Sequence, residues 1–135
     1  MADRLTLEIP SDAAYMATAR LFSGAVARHY AVDEHLIPDV KLAVSEACAA
    51  GILLGGESSV RIAAVADGDR VRFEVTQPEG LEAAALQGDQ PATPDPHQTA
   101  ELGLEVIRAL FEDADVVADP DGGKVVRFGA PVGAS

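Results

Sequence analysis

One carboxylate stands apart from its surroundings in this 135-residue sequence. Glu46 lies in the run Ile37–Leu54 and falls between Leu42 and Ala50 on a helical wheel, so an acid interrupts an apolar strip. One interpretation is a surface residue or a cap partner for a neighbouring element. The other is a carboxylate directed into a pocket, where partial loss of water tunes it for proton transfer or ligand binding. The helix pattern leaves both interpretations open.

Other residues that could carry chemistry are sparse. Cys48 is the single cysteine, which excludes a disulfide within the chain and fits a reducing compartment. Its simpler interpretation is a small buried apolar residue. His97 has no second His or Cys at metal-binding spacing, so we predict no metal site.

The run Ile37–Leu54 predicts a helix that is covered on most sides. Pro38 suits its first turn, and Gly55-Gly56 end it. Lys41 and Ser45 are the only residues predicted to face solvent as a stripe. The apolar face comprises Val40, Ala43, Val44, Ala47, Gly51 and Leu54.

The remaining elements predict one α+β domain over residues 1–135, a mixed, mostly antiparallel sheet with three helices on one face. The stretch 81–100 is rich in Pro and acids, and we predict a lid loop there. Asp67-Gly68-Asp69 predicts a hairpin turn. Strands are predicted at Arg4–Ile9, Ser59–Ala66, Arg70–Thr76, Ala114–Ala118 and Lys124–Phe128, and helices from Tyr15 to Tyr30 and at Leu102–Phe111.

Acidic residues are unevenly distributed along the chain. The sequence has 10 basic and 22 acidic residues, a net charge of −12, and residues 74–121 contribute −11 of it with Arg108 as their single base. This field repels nucleic acid and anionic membranes, so we expect neither as a partner. It serves solubility, or it steers a basic protein partner. The N-terminus is too polar for a signal peptide and no run spans a membrane, so we expect a cytoplasmic protein.

Three stretches of the sequence resemble the anti-sigma-factor serine kinases of bacteria, within the histidine-kinase-like (GHKL) ATPase superfamily. DVKLAVSEACAAGI resembles the helix that bears that family's Glu and Asn. ELGLEVIRALFEDADV resembles its second glycine box and the following helix, and GGKVVRF its closing strand. The resemblance covers nearly the whole chain. It implies a Bergerat-type ATPase sandwich, a Mg-ATP site and transfer of phosphate to an anti-sigma-factor antagonist.

The ATP site implied by the resemblance is degenerate in its helix and in its first glycine box. The family's Glu acts as base and an Asn four residues later ligates Mg²⁺; here Glu46 matches, but the Asn position is Ala50, which offers no oxygen. The first box reads Asp-x-Gly-x-Gly, and its Asp accepts a hydrogen bond from adenine. Its positions are Gln77, Glu79 and Leu81 here, although a slipped alignment would use Gly80.

The second box, Gly-x-Gly, is Glu101-Leu102-Gly103 in this chain. Gly103 is retained, but Glu101 places negative charge where phosphate would lie. Two like charges about 4 Å apart cost about 4 kcal/mol at an effective dielectric constant of 20. Metal ligand, adenine acceptor and phosphate cradle are thus lost together.

These departures leave three candidate functions. We predict an anti-sigma-factor-like or partner-switching regulator that binds a sigma factor or an anti-sigma antagonist, with no cofactor. The alternatives are an active serine kinase with Mg-ATP, and a pocket that holds another small ligand through Glu46. A homodimer through the first strand and helix is also predicted; alternatively, the same residues fill the monomer core. They are Leu5, Leu7, Ile9, Tyr15 and Phe22.

Overall fold

The computed structural model describes residues 3–55, 59–77, 96–120 and 123–132. Its strands are β1 Arg4–Pro10, β2 Ser59–Asp67, β3 Arg70–Gln77, β4 Asp115–Ala118 and β5 Lys124–Pro131. Its α-helices are α1 Met16–His29, α2 Ile37–Gly55 and α3 Pro96–Leu110. Each strand and helix predicted from the sequence is present. The main differences are a longer β5 and an earlier start of α3.

The five strands form one sheet in the order β1-β2-β3-β5-β4, and every neighbouring pair is antiparallel. The predicted α+β fold is therefore confirmed. Strand alternation directs one face of the sheet towards the helices; Ile62, Phe73 and Phe128 lie on that face and are buried. Gly68 forms the hairpin turn between β2 and β3 with a φ of +64°, a conformation that glycine adopts without strain.

Helix α2 is the centre of the helical layer, because it contacts α1, α3, β2 and β3. Val40, Val44 and Cys48 on it have no exposed surface. The prediction that Ser45 faces solvent is wrong, since α1 packs on that side and the Lys41 side chain lies over Gly24. Within the described ranges, no helix is both long and apolar enough to cross a membrane.

Three phenylalanines join the sheet to the end of α3. The ring of Phe128 stacks on Phe73 at a centroid distance of 5.4 Å and on Phe111 at 4.6 Å. Such offset pairs add to the free energy gained by burying the rings. This stack anchors the C-terminal end of α3 on β3 and β5.

The start of α3 corrects the predicted lid loop. The helix begins at Pro96, so residues 96–100 are helical and the loop prediction is wrong for them. Proline breaks a helix interior but fits its first turn, where the missing N–H needs no partner. Residues 81–95 lie outside the described part of the chain.

Candidate functional site

Three of the predicted site residues meet around the middle of α2. Glu46 lies on α2 and is half-buried. Gln77 ends β3 and reaches the backbone of the next α2 residue, Ala47. Gly103, in α3, packs directly against Glu46. Sequence positions far apart in the chain are thus brought to one place between the sheet end and the α2–α3 contact.

Gly103 and Glu46 lie at the contact between α2 and α3. A Cβ added at Gly103 would lie 3.3 Å from Oε2 of Glu46 and 3.6 Å from its carbonyl oxygen. The two helices are therefore in van der Waals contact here. No hydrogen bond or ion pair joins the Glu46 carboxylate to any other described residue. It is a partly exposed acid at a helix contact, not a cap.

Gln77 acts as a hydrogen-bond donor to α2. Its side chain is 7% exposed, and Nε2 donates to the carbonyl oxygen of Ala47 at 3.2 Å. A carboxylate at this position, as in the family's first glycine box, could not donate and would place two acceptors face to face. The amide therefore ties the end of β3 to the central helix in this chain.

The second glycine box lies inside a helix. Glu101 and Gly103 are the sixth and eighth residues of α3, which starts at Pro96. Only the first four N–H groups of an α-helix lack a partner four residues earlier. The N–H groups of Glu101 and Gly103 are therefore committed to α3, and the expectation that this box opens a helix is wrong.

Among the remaining predicted positions, Ala50 is the one that lies in the described part of the chain, and it adds no ligand for a metal or phosphate. Ala50 follows Glu46 by one turn of α2 and has no oxygen in its side chain. Glu79 and Leu81 lie outside the described residues. No group of three His, Cys, Asp or Glu side chains suited to a metal ion occurs in the described part. These residues do not fit Mg-ATP held as the resemblance implies.

Two features of this site were missed in the sequence. The carbonyl oxygen of Ala47 is a backbone group, and no side-chain pattern points to its role as the acceptor for Gln77. The start of α3 at Pro96 was visible as a proline ahead of a run without further Pro or Gly up to Gly103. Read as a first-turn proline, it would have placed the second glycine box inside the helix.

Comparison with known proteins gives one family. The sequence model of a family described as "Histidine kinase-like ATPase domain" matches residues 9–129, which include the last two residues of β1 and the first six of β5. No curated protein matches the chain significantly.

Proposed function

Because the chain belongs to the family of histidine kinase-like ATPase domains, we propose that it has kept this fold as a protein-binding module and does not phosphorylate its partner. One observation carries the proposal. The segment that should cradle phosphate lies within α3, and its Gly103 packs on Glu46, the expected base. This arrangement leaves neither free N–H groups nor a gap for phosphate between the two residues.

The chemical class of the partner rests on the sequence resemblance to anti-sigma-factor serine kinases. We propose a sigma factor or an anti-sigma antagonist as the partner, met in the cytoplasm. The chain retains a carboxylate at position 46, but Ala50 stands at the family's metal-ligand position and the second glycine box lies within α3. A catalytic base alone cannot bring about phosphoryl transfer, because this reaction depends on positioning the phosphoryl group and stabilising its charge.

Mg-ATP is expected to leave the melting temperature of the protein unchanged. A ligand at 100 times its dissociation constant stabilises a protein by about 2.7 kcal/mol, so thermal unfolding with about 1 mM Mg-ATP detects even micromolar binding. Titration calorimetry with the same nucleotide provides an independent measurement. A micromolar dissociation constant in either would contradict the proposal.

A variant with restored family residues serves as the positive control for this experiment. It combines Ala50→Asn, Gln77→Asp and Glu101→Gly, which return the metal ligand, the adenine acceptor and the glycine. The circular dichroism of this variant must also be measured to check that it folds, because Gln77→Asp removes the hydrogen bond to the carbonyl oxygen of Ala47. Serine phosphorylation of the partner by the wild-type chain and ATP would establish the active kinase instead.

Negative charge is expected to speed association with a basic partner. Electrostatic steering changes association rates by about 10- to 1,000-fold and weakens as salt rises. Changing five acids together to their amides should therefore slow association measured by stopped flow, chiefly at low salt. If the association rate and the affinity are unchanged, the proposed role of negative charge in partner binding is wrong. The acids are Glu79, Glu82, Asp89, Asp95 and Glu101.

The proposed homodimer has less apolar surface than its five residues suggest. Ile9 is buried, and Leu7 and Phe22 pack against the monomer core. Leu5 and Tyr15 remain 39% and 41% exposed, and β1 is an edge strand that a second copy could pair with. Light scattering at tens of micromolar should give a dimer mass; a monomer mass would end this proposal.

A further inference from the structure

A concave surface lies at the opposite end of β3 from Gln77. It is an open groove of roughly 590 Å³ between the end of α3 and the last residues of β5. Leu36, Leu110, Phe111 and Pro131 supply its apolar surface. Leu36 and Leu110 pack on the core and are only partly buried, so the groove continues the core to the surface.

Arg70 and Asp113 form a fixed polar wall of the groove. Nη2 of Arg70 donates to the carbonyl oxygen of Gly129 at 2.9 Å and to Oδ2 of Asp113 at 3.3 Å. The Gly129 N–H in turn donates to the Asp113 carboxylate at 3.1 and 3.2 Å. A Cβ at Gly129 would lie 2.9 Å from Oδ2 of Asp113, so this network needs glycine there. The two charges compensate each other.

The surroundings of the groove carry an excess of negative charge. Glu112 lines it, is exposed, and has no hydrogen bond or ion pair within the described part of the chain. The connection before Leu36 and the β2–β3 turn bring further acids to this end. Three acids at this end are paired: Asp113 with Arg70, Glu34 with Arg28 and Asp33 with His35. Three more acids have no ion pair with any described residue, namely Asp67, Asp69 and Glu112.

We propose that this groove binds a peptide segment of a protein partner that has an aliphatic or aromatic anchor flanked by lysine or arginine. The apolar surface receives the anchor, and the acidic rim attracts the flanking cations and raises the association rate. A second copy of this chain fits poorly, because its net charge of −12 repels the same rim. The inference rests on the proposed protein-binding role and adds the surface and the chemistry of the partner.

Backbone-amide NMR of the ¹⁵N-labelled chain with synthetic peptides tests the groove directly. The probe is a peptide of about twelve residues with a central Leu-Phe pair flanked by lysines, at up to about 1 mM. We expect shifts at Leu36, Phe111 and Gly129 and none at Glu46 or Gly103. A peptide with glutamates for the lysines, and one with serines for Leu-Phe, should each bind at least about fivefold more weakly.

Two matched charge reversals test the rim. Glu112→Lys should weaken binding of the lysine peptide by about five- to tenfold at low salt. Glu8→Lys makes the same charge change on the exposed edge strand β1 and should leave affinity within about twofold. The spectrum of each variant without peptide checks its fold.

Three results would each overturn the groove proposal: no shifts at the highest peptide concentration, shifts centred on the α2–α3 contact, or equal binding of the lysine and glutamate peptides. The proposed function fails on other evidence, namely binding of Mg-ATP or phosphorylation of the partner. If the chain binds neither ATP nor the peptides, the proposed function stands and the groove proposal fails.

Discussion

Phe128→Ala is expected to lower the free energy of unfolding by about 3–5 kcal/mol, the range for removing a buried aromatic ring. Phe128 is 1% exposed and lies between the rings of Phe73 and Phe111. The substitution therefore leaves a cavity and removes both aromatic contacts, which hold the end of α3 on the sheet. Urea denaturation followed by circular dichroism measures the loss through the midpoint and the slope.

Two control variants separate this effect from a general sensitivity to substitution. Leu21 is the most exposed large apolar residue among those described, at 71%, so Leu21→Ala should change stability by less than about 0.5 kcal/mol. Phe128→Leu keeps most of the volume and should cost less than Phe128→Ala. A cost below about 1 kcal/mol for Phe128→Ala would contradict the described packing.

The native Cys48 thiol is expected to react with dithionitrobenzoate at pH 8 at least about a thousandfold more slowly than in the urea-unfolded chain. Burial against apolar neighbours raises the pKa of Cys48 to about 12. The fraction of Cys48 present as the reactive thiolate is then lower by about three powers of ten than for an ordinary thiol. The side chain also has no exposed surface. Comparable rates in the two states would show that α2 is not covered as described.

The same shift in pKa predicts a loss of stability in alkaline solution. The pKa of Cys48 rises from 9.0 to about 12 on folding, so the unfolded chain releases this proton first. The stabilisation is complete below pH 9 and is lost as the pH rises towards 12, with a slope of up to about 1.4 kcal/mol per pH unit. Cys48→Ala removes the contribution of this thiol to the pH dependence of stability but retains the titration of the other groups. The difference between the two stability curves should therefore show the slope.

Most of the secondary structure was predictable because its signals are local. The alternation in Arg70–Gln77, the glycine of the 67–69 turn and the helical spacing along α2 each depend on residues within a few positions. The α+β class followed from the order of these elements. Even the start of α3 was a local signal at Pro96, and its misinterpretation came from the two roles that proline can have at a helix.

The burial of the individual sides of α2 was less predictable. A helical wheel shows in which direction each side chain points, but not which neighbouring element covers that side. Leu42 is 43% exposed whereas Ser45 is buried, the reverse of what their polarity predicts. Helix α1 packs on α2, and the Lys41 side chain lies against Gly24 of that helix. The position of a neighbouring helix, which a helical wheel does not show, thus decides which side chains of α2 are covered.

The sequence by itself determined the elements, their order and the fold family, since each of these is carried by residue identities and short spacings. Only the tertiary structure decided that Gly103 packs on Glu46, that Gln77 donates to α2, and that a groove lies at the opposite end of β3. The groove joins residues as distant as Leu36 and Pro131. Such contacts arise when all elements pack at once, because close packing fixes side-chain positions through neighbours that lie far away in the chain.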